Sequence, residues 1–332
     1  MRRLSASHHD TLAALLRSKG LVDAPRPPSD STADGPWTAS QAVQRLWLQE
    51  SLEGGPQVNA LGMLVRLTGP TPVGTLVAAH AVLADRHQVL RTDYDDASGA
   101  LRGTVLPSPG FVTGAALPDA SPETLARALH AAPVAMRAGR SSFLHPIGAG
   151  PQCDAFLWVL HHAVVDWSGA QTLLDELTQL LDGAAPERLP PATQARDIAL
   201  REQARSPERT RALQAYWRTR LAGAAMHFQP PIAQATAPVR SSREVERASL
   251  LIDSACSDAI RARCRAIRTT PYFLFLTAFT RLLQALTLSE EQLIASTLTH
   301  RDRPGAASFA GCLSDLVPLR CAPPVDAAFI DA

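Results

Sequence analysis

HHAVVDWSG, residues 161–169, is the stretch on which the reading of this chain turns. It follows DAFLWVL (154–160), a short apolar run that predicts a strand. It precedes QTLLDELTQLL (171–181), whose Leu173, Leu174, Leu177, Leu180 and Leu181 form one helical stripe, with Gly183 as the expected stop. A loop held between a rigid strand and a helix start is a common seat of chemistry. Neighbouring side chains on an extended segment diverge, so His161 and His162 are expected to face opposite ways, one into protein and one into a cavity. An imidazole can hold or move a proton near neutrality. Asp166 joins them only if the loop turns, and a buried carboxylate there needs a cation. That cation is an arginine, because Lys19 is the sole lysine among the 32 basic residues. From the residues alone, a structural histidine pair and a catalytic one both stand. A metal site ranks below them, since adjacent histidines on one strand chelate poorly. The other pair, His8–His9, reads as inert.

Outward from this loop, helical and strand periods mix without strict alternation or repeat, which predicts layered α/β lobes. Residues 39–52 and 73–87 read as helices. Residues 60–68, ALGMLVRLT, place Leu61, Met63, Val65 and Leu67 on one face at period two, as a half-buried strand does. A helix is expected within residues 10–18. VDAPRPPSDSTADGP (22–36) reads as a linker, so the folded body should begin near Trp37. A second proline-bearing stretch, 229–242, divides that body. Beyond it a strand is expected near 245–252, a helix near 256–267, and a long apolar helix from Tyr272 to about Leu286, with Pro271 in its first turn. QLIAST (292–297) and LVPLRC (316–321) are further apolar patches.

Length and composition bound the function. A chain of 332 residues suits one large domain or two lobes, and 46% hydrophobic residues can build a real core. A net charge of +1 supplies no field for nucleic acid or an anionic membrane. No apolar run is long enough to span a bilayer, and the N-terminus carries no signal-peptide pattern. Cys153, Cys256, Cys264, Cys312 and Cys321 are an odd set without CxxC spacing, which predicts reduced thiols and a cytoplasmic location. The arginine- and alanine-rich composition points to a bacterial, high-GC gene.

HHxxxD followed by a leucine-rich helix resembles the active-site motif of the condensation domains of nonribosomal peptide synthetases. Other motifs of that family occur in the right order. SQAVQRLW (40–47) resembles SxAQxRLW, with Val43 where glutamine is usual. RHQVLRTDY (86–94) is similar to RHExLRTxF, and AYWRTRLAG (215–223) to YWxxxLAG. THRDRP (299–304) resembles NRNRP, and FAGCLSDLVPLR (309–320) resembles IGFFVNTLPLR with Asp315 in place of asparagine. The resemblance runs from about Trp37 to the end of the chain.

It implies an α/β fold of two chloramphenicol-acetyltransferase-like lobes in a V, with a tunnel between them. The corresponding organisation is an N-terminal helix in 1–21, a disordered linker at 22–36, a first lobe at 37–228, an inter-lobe linker at 229–245 and a second lobe from 246 to 332. Family domains continue past the PLR motif, so the second lobe is expected to be incomplete, with exposed apolar faces. The implied reaction is secondary-metabolic amide formation between a donor acyl thioester and an acceptor amine. Both ride on the phosphopantetheine arms of carrier proteins, which act as substrates; no cofactor is bound directly. The implied partners are carrier proteins and other synthetase domains. His162 would lie in the tunnel nearest the amine. His161, Asp166, Gly169, Arg91 and Arg301 would build the site, with Arg91 or Arg301 as the partner of Asp166. Trp167 stands where the family has glycine after the aspartate, which puts the loop's geometry in question if that position needs a positive φ. Two alternatives follow: an acyl-CoA-dependent acyltransferase of the same superfamily, or a non-catalytic domain that docks carriers.

Overall fold

A computed structural model describes residues 35–53, 55–107, 112–148, 150–225, 248–302 and 305–324. The helix expected within 1–21, all but the last two residues of the 22–36 linker, and the 229–245 linker lie outside these. The chain divides into two compact units: Met1–Arg205 with Thr299–Asp315, and Ser206–Leu298 with Leu316–Ala332. The division falls at Ser206, and residues 299–315 leave the second stretch of sequence to pack with the first unit.

The first unit is built on β2 (Ala60–Pro72), β7 (Gln152–His161), β6 (Ser142–Ile147) and β5 (Val112–Thr113), in the order β2-β7-β6-β5. β7 is antiparallel to β2, pairing Ala60 with His161 and Leu61 with Leu160, and antiparallel to β6. A smaller sheet joins β1 (Trp37–Thr38), β4 (Arg102–Val105) and β3 (Thr92–Asp95). Helices α1 (Gln41–Glu53), α2 (Val73–Arg86), α3 (Pro122–Ala131), α4 (Trp167–Leu181) and α5 (Ala195–Gln203) complete it.

Why DAFLWVL reads as a continuous apolar run is now plain. Phe156, Trp158 and Leu160 belong to a core shared with Leu76 and Leu83 of α2 and Leu173 and Leu177 of α4. Leu157 and Val159, on the opposite face, pack with Phe143, Val134 and Ala128 of α3. A strand covered on both faces keeps no polar alternation. Each such side chain contributes about 1.5–3 kcal/mol on burial. β2 keeps its alternation: Leu61, Met63, Val65 and Leu67 turn to the core while the intervening residues are exposed.

β2 runs to Pro72, past the expected end at 68. α4 begins at Trp167, four residues before the expected start at 171, because Asp166 caps it. Gly183 takes φ +86° just beyond its end, the left-handed stop that glycine permits.

In the second unit, α6 (Pro207–Leu221), α7 (Ser254–Ala266) and α8 (Pro271–Thr287) accompany a two-stranded sheet of β8 (Gln292–Leu298) and β9, which starts at Asp315 and ends at Cys321. Thr270 Oγ1 caps α8 by accepting from Phe273 N–H at 3.4 Å, with Pro271 in the first turn as expected. Tyr272, Phe273, Phe275, Phe279 and Leu282 of α8 remain substantially exposed. The strand expected near 245–252 is corrected: residues 248–252 form none, and Leu250 and Leu251 are exposed. A strand persists where a neighbouring strand satisfies its backbone, and these residues have no such neighbour among those described.

Candidate active site

The loop is built by its hydrogen bonds. β7 ends at His161, and His162–Val164 form one 3-10 turn. Asp166 then adopts extended backbone and its Oδ1 accepts the Gly169 N–H at 2.8 Å, which starts α4. N-cap carboxylates satisfy the donors that a helix start leaves open.

Asp166 is 2% exposed and does more than cap. Arg301 Nη2 donates to its Oδ1 at 2.5 Å, while Leu313 N–H at 2.9 Å and Ser314 Oγ at 3.3 Å approach Oδ2. Arg301 in turn donates to the carbonyls of Ala306 (2.9 Å), Gly311 (2.8 Å) and Phe309, and lies over the Phe309 ring. Of the two arginines named for Asp166, Arg301 is the one that meets it. Arg91 is not: its Nη1 donates to the Leu106 carbonyl at 2.5 Å, one residue past the end of β4.

His161 is fully buried. Its Nδ1 accepts the Ala163 N–H at 3.1 Å, and its Nε2 meets Glu50 Oε1. His162 is half-buried, and its Nδ1 lies 2.9 Å from the Val165 carbonyl oxygen. A carbonyl can only accept, so Nδ1 carries a proton, and in the neutral ring Nε2 keeps the lone pair. That Nε2 has no hydrogen-bond partner among the described residues.

Trp167 is the first residue of α4, has no positive φ, and is 73% exposed. The doubt raised by its replacing glycine is thereby answered: the position demands no left-handed backbone. The demand for glycine falls at Gly169. A Cβ there would sit 1.8 Å from the Ala310 carbonyl oxygen, so α4 can approach the 309–311 backbone only without a side chain.

The RHQVLRTDY motif supports this loop from behind. His87 Nε2 at 2.8 Å and Arg86 Nε at 3.1 Å donate to Glu176 on α4. Burial alone would raise the Glu176 carboxyl, but the bonds from His87 and Arg86 outweigh it and hold it low. Cys312, beside Asp166, is pushed up to about 12 by burial and by that negative charge, so its thiol is no nucleophile.

Sequence reasoning missed Glu50. Its signal was there: Ala42, Leu46 and Glu50 recur every four residues of α1, and the first two are buried. An acidic residue continuing an apolar helical face is a buried carboxylate in want of a partner. Among the described residues no cluster of three or more His, Cys, Asp or Glu could hold a metal, and no helix is long and apolar enough to cross a membrane.

A family model described as "Condensation domain" matches residues 34–332. Phosphinothricin tripeptide synthetase PhsB of Streptomyces viridochromogenes is 26% identical over 309 residues, covering 89% of this chain and 26% of that protein. The nonribosomal peptide synthetase kk1B of Curvularia clavata is 27% identical over 312 residues, 90% of this chain and 2% of that protein. The chain thus spans a minor part of these relatives. They are fungal as well as bacterial, so the similarity does not single out a bacterial source. Among solved structures, the first condensation domain of the calcium-dependent antibiotic synthetase, in complex with a substrate analogue, aligns with a TM-score of 0.71 at 17% identity, over 89% of this chain and 71% of that one. The X-domain in its complex with OxyB from teicoplanin biosynthesis aligns with a TM-score of 0.71 at 20% identity, over 93% and 70%.

Proposed function

The chain belongs to the condensation-domain family, and from that premise we propose that it joins a donor acyl thioester to an acceptor amine, both carried on phosphopantetheine arms. The observation that carries the proposal is the His162 contact: Nδ1–H is spent on the Val165 carbonyl, which leaves the lone pair of the neutral ring on Nε2. In this reading the amine nitrogen attacks the thioester carbonyl carbon. The C–N bond forms, the C–S bond breaks, and the proton lost by the amine passes to His162 Nε2 and on to the departing thiolate. Alignment of two tethered groups supplies most of the rate, with effective molarities of roughly 10⁵ M or more. General-base help adds about 10²–10⁴-fold. His161, Asp166, Gly169 and Arg301 hold the turn; Arg91 lies outside the cluster. The phosphopantetheine arms are substrates delivered by carrier proteins of a cytoplasmic synthetase, and the reading needs no cofactor of the chain's own.

The test is single-turnover amide formation from an acyl and an aminoacyl carrier protein. His162→Ala is expected to lower the rate about 10²–10⁴-fold with the melting temperature nearly unchanged. Amide formation at the wild-type rate in this variant would remove His162 from the chemistry. Transfer from an acyl-CoA alone would replace the proposal by the acyltransferase alternative. The docking alternative loses the support it drew from Trp167, which costs the loop no backbone strain.

A further inference from the structure

We infer that Glu50 is a positioning residue for His162, acting through the tautomer of His161. The inference deepens the amide-forming reading above and rests on it for its kinetic consequence. Its structural basis lies wholly within the first unit.

Two contacts fix the state of the His161 ring. The Ala163 N–H points at Nδ1, 3.1 Å away, and an N–H can only donate. Nδ1 must therefore hold a lone pair, and the ring proton sits on Nε2. The acceptor for that proton is Glu50 Oε1. The side chain of His161 is 0% exposed, so water offers no substitute. Glu50 is itself anchored: Asn59, 3% exposed, donates Nδ2–H to the same Oε1 at 3.0 Å, and also reaches the Leu46 carbonyl at 3.5 Å.

Without the carboxylate, the buried Nε2–H has no acceptor among the described residues. If the proton moved to Nδ1 instead, two N–H groups would face each other at the Ala163 contact. A buried donor without an acceptor costs about 1–3 kcal/mol, which favours the second state; there the 3-10 turn of residues 162–164 loses the His161 cap on the Ala163 N–H, and His162 is the first residue of that turn. The Nε2 lone pair of His162 would no longer be held in one place. A misplacement of about 1 Å at a reacting group can cost roughly 100-fold in rate.

The experiment uses the full chain with ¹⁵N-labelled histidine and three variants. Long-range ¹H–¹⁵N correlations report which nitrogen of His161 is protonated, with no need for turnover. Glu50→Gln keeps an oxygen that can accept from Nε2–H. It should preserve the Nε2–H state and a kcat within about threefold of wild type, as expected where only the charge is removed. Glu50→Ala should lose the Nε2–H state and lower kcat about 10–100-fold at saturating carriers, with KM unchanged. If Glu50→Ala fails to fold, Glu50→Asp, which draws the oxygens back by one methylene, takes its place with the same expectation. An unaltered Nε2–H signature in the Ala or Asp variant overturns the inference, as does an equal rate loss in the Gln variant with its tautomer intact. If the wild-type chain forms no amide, the functional reading fails by itself, and the tautomer measurement still decides the role of Glu50.

Discussion

Gly169→Ala probes the contact on which the whole loop depends. In the first turn of a helix, alanine ordinarily outranks glycine by about 1 kcal/mol. Here the added Cβ would lie 1.8 Å from the Ala310 carbonyl oxygen, 2.7 Å from its carbon and 3.3 Å from Arg301 Nη2. The first two are backbone atoms of a residue with 0% exposure, so no rotamer change relieves the clash. The 309–311 backbone must withdraw, and it supplies the Phe309 and Gly311 carbonyls that hold Arg301 against Asp166. Overpacking alone costs about 1–3 kcal/mol. Separating a buried ion pair costs about 3–5 kcal/mol. These are one displacement, so the larger range governs, and the helix preference returns about 1 kcal/mol of it. A net loss of about 2–4 kcal/mol corresponds to a fall of roughly 5–15 °C in Tm for a unit of about 200 residues. Gly74→Ala in α2, where a Cβ meets nothing within 4 Å, is the control and should match or slightly exceed wild type. Thermal unfolding followed by circular dichroism reads both. If Gly169→Ala melts within about 2 °C of wild type, the close approach of α4 to Ala310 does not exist in solution and the account of the loop built on it falls.

Arg301→Met should cost about 3–5 kcal/mol in urea unfolding, whereas Arg91→Met, which gives up one bond to the Leu106 carbonyl, should cost about 1 kcal/mol; equal losses would contradict the assignment of Arg301 to Asp166. Native-state alkylation at pH near 8, mapped by mass spectrometry, should mark the exposed Cys256 and spare Cys312 until the chain is unfolded. Because burial and Asp166 raise the Cys312 thiol from 9.0 to about 12, its share of stability is whole below pH 9 and declines as pH rises toward 12; early labelling of Cys312 would show that it is not buried. Burial lowers His80 from 6.5 to about 3, so the unfolded chain binds a proton that the folded one refuses. The stability tied to His80 is present above pH 6.5 and is lost as pH falls toward 3, at up to about 1.4 kcal/mol per pH unit. His80→Gln should flatten that acid limb, and an unchanged slope between pH 6 and 4 would count against it.

Long, strongly patterned elements were legible in the sequence, and short ones were not. α4, α8 and β2 announce themselves because a dozen residues suffice to show a period, and β7 because it is a continuous apolar run. β3, β4 and β5 have four, four and two residues, too few for any period, and they exist through their neighbours. α3 carried a readable start in Ser121-Pro122, where Ser121 Oγ accepts the Thr124 N–H at 3.3 Å, but its apolar face is narrow. Asp166 and Arg301 were named because motifs placed both in the site. The choice of Arg301 over Arg91 was beyond local reasoning, since it depends on a contact spanning 135 residues of chain.

That contact explains why residues 299–315 pack with the first unit. Asp166 accepts from four groups: Gly169 N–H, Arg301, Leu313 N–H and Ser314 Oγ. Only the first is local. A carboxylate stripped of water is tolerable where its lone pairs are filled and its charge is met, and α4 alone can fill one of them. The remaining three come from the 299–315 segment, as do the carbonyls that Arg301 needs. The helix cap and the docked segment are therefore complete only together. His162 belongs to the same short turn, between a strand end fixed by the Glu50–His161 bond and a helix start fixed by Asp166. The glycine at 169 is the geometric condition for this joint, because it lets Ala310 come close enough for its neighbours to reach Arg301. The tryptophan at 167 projects outward and leaves it intact.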